Sequence, residues 1–124
     1  MVDALAGPLL IVARMLMGAL FIVGGLRHFW LLDPISAAMR ARGVPMARTV
    51  LITGSVYEVA FGVLLALSVT VSLAALALVV FTILATVMMV NFWDKPEPER
   101  GALFGIFMSN LAIVGGLLGL AASG

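Results

Sequence analysis

No cysteine occurs in the chain. Disulfides, thiolate metal sites and any thiol relay within it are therefore excluded. Charge is scarce as well: 10% of the 124 residues are Asp, Glu, Lys or Arg, against about 25% in an ordinary soluble domain. The net charge of +1 gives no reason to expect nucleic acid as a partner. A single histidine, His28, rules out a bis-histidine haem within one chain. Metal-ligand spacing, a G-x-G-x-x-G after a strand, a P-loop and a Ser–His–Asp set are all missing from the sequence. Nothing resembles a standard catalytic centre, so no independent catalytic activity is expected.

What is present is apolar surface. The chain is 64% hydrophobic, with a mean hydropathy of +1.25. Four apolar runs can be counted, at about 8–30, 48–67, 71–93 and 102–122. Each is long enough to cross a hydrocarbon core about 30 Å thick at about 1.5 Å per residue. The first has no basic cluster before it and exceeds the usual core of a cleaved signal, so it reads as a retained helix. Backbone polar groups in lipid must be satisfied within the chain, and the runs lack period-2 alternation, so they should be helices rather than barrel strands. The expected fold is all-α: a polytopic membrane four-helix bundle forming a single domain, residues 1–124. Between the first two runs, Asp33-Pro34 has the look of a helix start. A short interfacial helix over about 34–42 should follow, ending at Gly43.

The basic residues orient these spans. Arg27, Arg40, Arg42 and Arg48 flank the first loop, Lys95 and Arg100 lie in the third, and the loop around Ser68 to Ser72 is uncharged. Under the positive-inside rule the first and third loops are cytoplasmic and both termini lie outside. Trp30 and Trp93 then fall at the cytoplasmic ends of spans one and three, where aromatic belts occur. "DKPEPE", residues 94–99, reads as a solvated turn.

Two charges fall inside spans. Arg14 lies about six residues from the outer end of span one, and Glu58 about nine from that of span two, giving depths of about 9 and 13 Å. A charge near the bilayer centre costs about 2.5–3.5 kcal/mol or more, so the sequence suggests that the two form a buried pair. Arg14, Gly18, Phe21, Gly25 and His28 make one stripe on span one; Gly54, Glu58 and Gly62 make another on span two. Small residues beside polar ones allow close helix approach. Such a pair can fix helix register, or the same residues can serve a ligand, proton or quinone. The candidate ligand-binding set is Arg14, His28, Tyr57, Glu58, Asn91 and Asn110. His28 beside Trp30 can equally meet a headgroup or a backbone carbonyl, and the two asparagines can equally bond across helices. Tyr57 offers either a redox-relevant hydroxyl or an aromatic filler, and the eight Met residues are ordinary gap-fillers.

Two weaker patterns complete the reading. "HFW" (28–30) closes span one and "NFW" (91–93) closes span three; "GVLLAL" (62–67) resembles "GGLLGL" (115–120). A parallel two-helix duplication would explain both. On span four, Gly105, Ser109, Ala112, Gly116 and Gly119 form a small-residue face, with a GxxxG match at Gly115–Gly119. That face suits either a homo-oligomer or packing inside the monomer.

"ARMLMGALFIVGGLRHF" in span one, "ARGVP" in the loop, Glu58 followed by "FGVLLAL", "FTILATVMMVNFW" and "SNLAIVGGLL" together resemble the DoxX family of small four-helix bacterial membrane proteins, over about residues 9–120. Two positions depart from the family: a His common in or just before "VNFW" is replaced by Val90 and Asn91, and a common Lys-Asn by Ser109-Asn110. Roles resting on that His or Lys have no residue here. The resemblance implies a multi-pass protein of the bacterial inner membrane. The family is named for a subunit associated with a thiosulfate:quinone oxidoreductase, and relatives are linked to membrane redox assemblies. It thus implies an accessory or quinone/lipid-associated subunit of a membrane redox system, with no covalently bound cofactor, a quinone as candidate ligand, and a membrane or cytoplasmic redox protein as partner. The alternative is a purely structural or lipid-handling membrane protein.

Overall fold

A computed structural model describes the backbone of residues 2–124 and the side chains of residues 4–124. Among these residues every regular element is helical: α1 (Val2–Trp30), α2 (Leu32–Ala41), α3 (Ala47–Ala66), α4 (Val71–Met89) and α5 (Glu99–Ser123), with a single 3₁₀ turn at Phe92–Asp94. Four of them are long and apolar enough to cross a membrane. Large apolar side chains such as Leu9, Leu16, Leu73, Leu84 and Leu111 are exposed along their flanks. A water-soluble monomer rarely leaves so much contiguous apolar surface open, so these flanks belong against lipid.

The ends of the elements show why the chain turns where it does. It passes from α1 to α2 through Leu31 alone, whose N–H meets the carbonyls of Arg27 and His28. With no separate helix start to cap, Asp33 is not the N-cap that Asp33-Pro34 suggests; it sits in the first turn of α2 and accepts a bond from Arg48 Nη1 at 2.9 Å. Gly43 ends α2 as expected, at φ +84°, with Gly43 N–H bonded to Arg40 O and Val44 N–H to Met39 O. That pair of bonds is a Schellman closure, which needs a left-handed residue. α4 stops at Met89, a turn short of the apolar run. Beyond it, Asn91 is held by Arg42 and Asp94 instead of continuing the helix.

Packing is uneven along the bundle. The most extensive helix contact is α1 with α3, followed by α4 with α5 and α3 with α4. Along α3 the buried residues Leu51, Ser55, Glu58, Gly62 and Leu65 recur at spacings of three and four, one stripe of a helix. At Gly18 α1 comes close to the backbone of α3. A Cβ there would lie 2.6 Å from Gly62 O and 2.7 Å from Ala66 Cβ, so only glycine fits. One core cluster joins Phe21, Leu65, Leu78, Leu117 and Leu120 with the alanines of α4. A second, at the α2 end, is built on Met39, Ala47 and Leu51. The small-residue face of α5 is not absorbed into either: among the described residues Gly105, Gly115 and Gly119 have nothing within 4 Å of where a Cβ would stand, while a Cβ on Gly116 would meet Met17 of α1.

Candidate functional site

A cavity of about 530 Å³ lies beside the second core cluster, between α2, α3 and α4. Its wall is almost entirely apolar: Ile35 and Met39 from α2, Leu51 and Val50 from α3, Phe81, Leu84 and Met88 from α4. Val50, Val80 and Leu84 on its rim are exposed on the flank of the bundle, so the cavity opens toward the surface that meets lipid. The polar groups reaching its wall are few, and include His28, Ser55, Tyr57 and Asn110.

Two of these are already committed. Tyr57 donates its hydroxyl to Ala77 O at 2.7 Å, and its ring lies against Phe61 and Phe81 at centroid distances of 4.7 and 6.2 Å. It ties α3 to α4, and its hydroxyl is already bonded. Asn110 donates to Thr86 Oγ1 at 2.9 Å, and Thr86 in turn bonds back to Thr82 O, so Asn110 fastens α5 to α4 while bordering the cavity.

His28 and Ser55 form the other polar corner. The Ser55 hydroxyl lies 2.9 Å from His28 Nδ1. Glu58 Oε2 approaches the same nitrogen at 3.5 Å, without hydrogen-bond geometry, and is otherwise buried with no hydrogen-bond partner. Glu58 is only 5% exposed and lies behind His28 rather than on the cavity wall. Glycines make room for it: a Cβ on Gly24 would come within 3.1 Å of Glu58 Oε1, and one on Gly25 within 3.4 Å of Glu58 Oε2. In a serine hydrolase the hydroxyl and the carboxylate bind opposite imidazole nitrogens; here both face Nδ1, so the three residues are not a nucleophilic triad.

The expected Arg14–Glu58 pair does not form. Among the described residues the ion pairs are His28–Glu58 and Arg48–Asp33, and Arg14 Nε is buried without a hydrogen-bond partner. The reason is register. Close approach of Gly18 to Gly62 and Ala66 sets Glu58 level with Gly24 and Gly25 of α1. Arg14 is ten residues from Gly24, about 15 Å along the helix, beyond the reach of a guanidinium. Depths counted from the ends of the apolar runs concealed this, because the ends of α1 and α3 are not level: Gly18, near the middle of α1, faces Gly62 and Ala66 in the last turns of α3. The stripe itself is real: Gly18, Phe21 and Gly25 are buried, and His28 reaches α3.

The candidate residues thus separate. His28, Tyr57 and Asn110 border the cavity, and Glu58 adjoins it through His28. Arg14 stands apart, and Asn91 does so too, its side chain spanning Arg42 and Asp94 at the loops. Ser55 was missing from the sequence-derived set. Its signal was available, since it precedes Glu58 by three residues and so shares a helix face with it. The cavity itself left no signal, because Met39, Met88 and Met89 read as filler wherever they fall.

The family model described as DoxX matches residues 9–91, more than half of the chain. No curated protein and no solved structure matches it.

Proposed function

The chain belongs to the DoxX family, and from that premise we propose that it is a quinone- or lipid-associated accessory subunit of a bacterial inner-membrane redox system, holding its ligand in the cavity between α2, α3 and α4. The observation that carries this reading is the cavity. A volume of about 530 Å³ lies within the range of small-molecule sites, about 300–1,000 Å³, which are mostly apolar with a few placed polar groups. Apolar walls receive a ring or an acyl chain; His28, held at Nδ1 by Ser55, offers a hydrogen bond to its polar end. The exposed rim at Val50, Val80 and Leu84 gives entry from the bilayer, where such molecules are dissolved. Electrons would come from a partner, because the chain has no cysteine and its one tyrosine hydroxyl is bonded to Ala77 O.

Mass spectrometry of small molecules retained on protein extracted into lipid nanodiscs tests the proposal. A quinone is expected at near-stoichiometric yield, and Leu84→Trp at the rim should lower it without unfolding the bundle. Retention of ordinary phospholipid alone, unaffected by Leu84→Trp, would favour a structural or lipid-handling role.

A further inference from the structure

The polar corner of the cavity is compatible with either of two hydrogen-bond senses. His28 Nδ1 is engaged with Ser55 at 2.9 Å, and Glu58 Oε2 lies 3.5 Å from the same nitrogen without bonding to it. Its other ring nitrogen, Nε2, has no hydrogen-bond partner among the described residues, and it is the one His28 can turn to an occupant. A neutral imidazole carries one N–H and one lone pair, so the state of Nδ1 dictates that of Nε2. Ser55 supports either state. When its hydroxyl donates to Nδ1, Nε2 carries the proton and is a donor. When Nδ1 carries the proton, Ser55 Oγ accepts it, Glu58 Oε2 stands close by as a second acceptor, and Nε2 becomes an acceptor. In that second state the Ser55 proton needs a partner of its own. Hydroxyls on helices of this protein find one a turn back: Ser36 donates to Leu32 O, Thr82 to Leu78 O and Thr86 to Thr82 O. The equivalent carbonyl for Ser55 is that of Leu51.

We propose that His28, Ser55 and Glu58 together form a tautomeric recognition site that accepts a ring carbonyl and a ring hydroxyl alike, so that the cavity binds a quinone and its hydroquinone with similar affinity. This rests on the proposed ligand class and deepens it. A fixed donor would favour the oxidised ligand, and a fixed acceptor the reduced one. A subunit that passes such a molecule between partners has to hold both. Glu58 has a defined part in this: its buried, unsatisfied Oε2 makes the Nδ1-protonated state, the one that receives a hydroxyl, accessible in an apolar wall.

The single histidine makes the test direct. Protein labelled with ¹⁵N-histidine in nanodiscs gives one imidazole, whose nitrogen shifts distinguish the tautomers. Titration with a decyl-substituted benzoquinone should move His28 toward the Nε2-protonated form, and titration with the corresponding hydroquinone toward the Nδ1-protonated form. Ser55→Ala removes the donor to Nδ1 and should weaken quinone binding by about five- to tenfold, the worth of one hydrogen bond, while hydroquinone affinity stays within about twofold. His28→Phe should weaken both. Binding of both ligands with an unmoved tautomer, or an equal loss of both in Ser55→Ala that retains its native melting temperature, would overturn the switch while leaving the cavity assignment standing. Absence of binding by either ligand to the native protein would overturn the ligand class and the switch together.

Discussion

At the scale of single residues, Glu58 and Arg14 show how far polarity alone can be read. That a carboxylate within an apolar run faces another helix was legible, because the alternative, lipid, costs several kcal/mol. Which group it faces was not, since that depends on a helix register fixed by where Gly18 meets Gly62 and Ala66. The structure puts His28 beside Glu58, and among the described residues Arg14 has no ion-pair partner. Double-mutant cycles on unfolding in mixed detergent micelles should record this. Arg14→Ala and Glu58→Ala should add to within about 0.3–0.5 kcal/mol, as separated sites do, whereas His28→Ala and Glu58→Ala should couple by about 0.5 kcal/mol or more. A coupled Arg14–Glu58 cycle would contradict the register. Gly43 gives a second residue-scale expectation. At φ +84° an alanine is strained, and Gly43→Ala should lower stability by about 1 kcal/mol or more even though a Cβ there meets nothing.

Between elements, glycine marks contact in some places and its absence in others, and the sequence does not say which. The stripe Gly18, Gly25 and Gly62 seats α1 on α3; the Gly105, Gly115 and Gly119 positions of α5 are open. Both are equally glycine-rich when read as letters. The difference arises from tertiary placement: α5 packs on α4 through Leu117 and Leu120 and turns its small residues away. The repeat of "HFW" and "NFW" divides in the same manner. His28 reaches across to α3, while Asn91 is held by Arg42 from the other loop. Leucine scanning separates the two kinds of glycine. Gly18→Leu must displace Gly62 and Ala66 backbone and should abolish the folded monomer, judged by loss of a monodisperse peak and of a thermal transition. Gly119→Leu should leave both unchanged. Equal damage from the two would mean that α5 has a neighbour that the monomer does not supply.

For the molecule as a whole, the helix count and the membrane character were legible from hydropathy, because backbone in lipid admits few alternatives. The cavity was not, because it is the space left between two clusters and no residue specifies it. Orientation is the remaining property of this scale, and the structure sharpens the argument for it. Arg42 of the first loop bonds to Asn91 beside the third, and Arg48 pairs with Asp33, so the basic loops converge on one end of the bundle. The connection at Leu67–Thr70, at the opposite end, carries no charge. A bundle with this asymmetry should insert with the basic end in the cytoplasm, which puts the His28 corner of the cavity nearer that side and both termini outside. Because the native chain has no cysteine, single introduced thiols report orientation without background. Met46→Cys and Val69→Cys are suitable, since both native side chains are exposed, at 75% and 45%. In intact spheroplasts a membrane-impermeant maleimide should label the Val69→Cys protein at once and the Met46→Cys protein only after permeabilisation. The reverse order would invert the bundle and place the polar corner of the cavity toward the outer face.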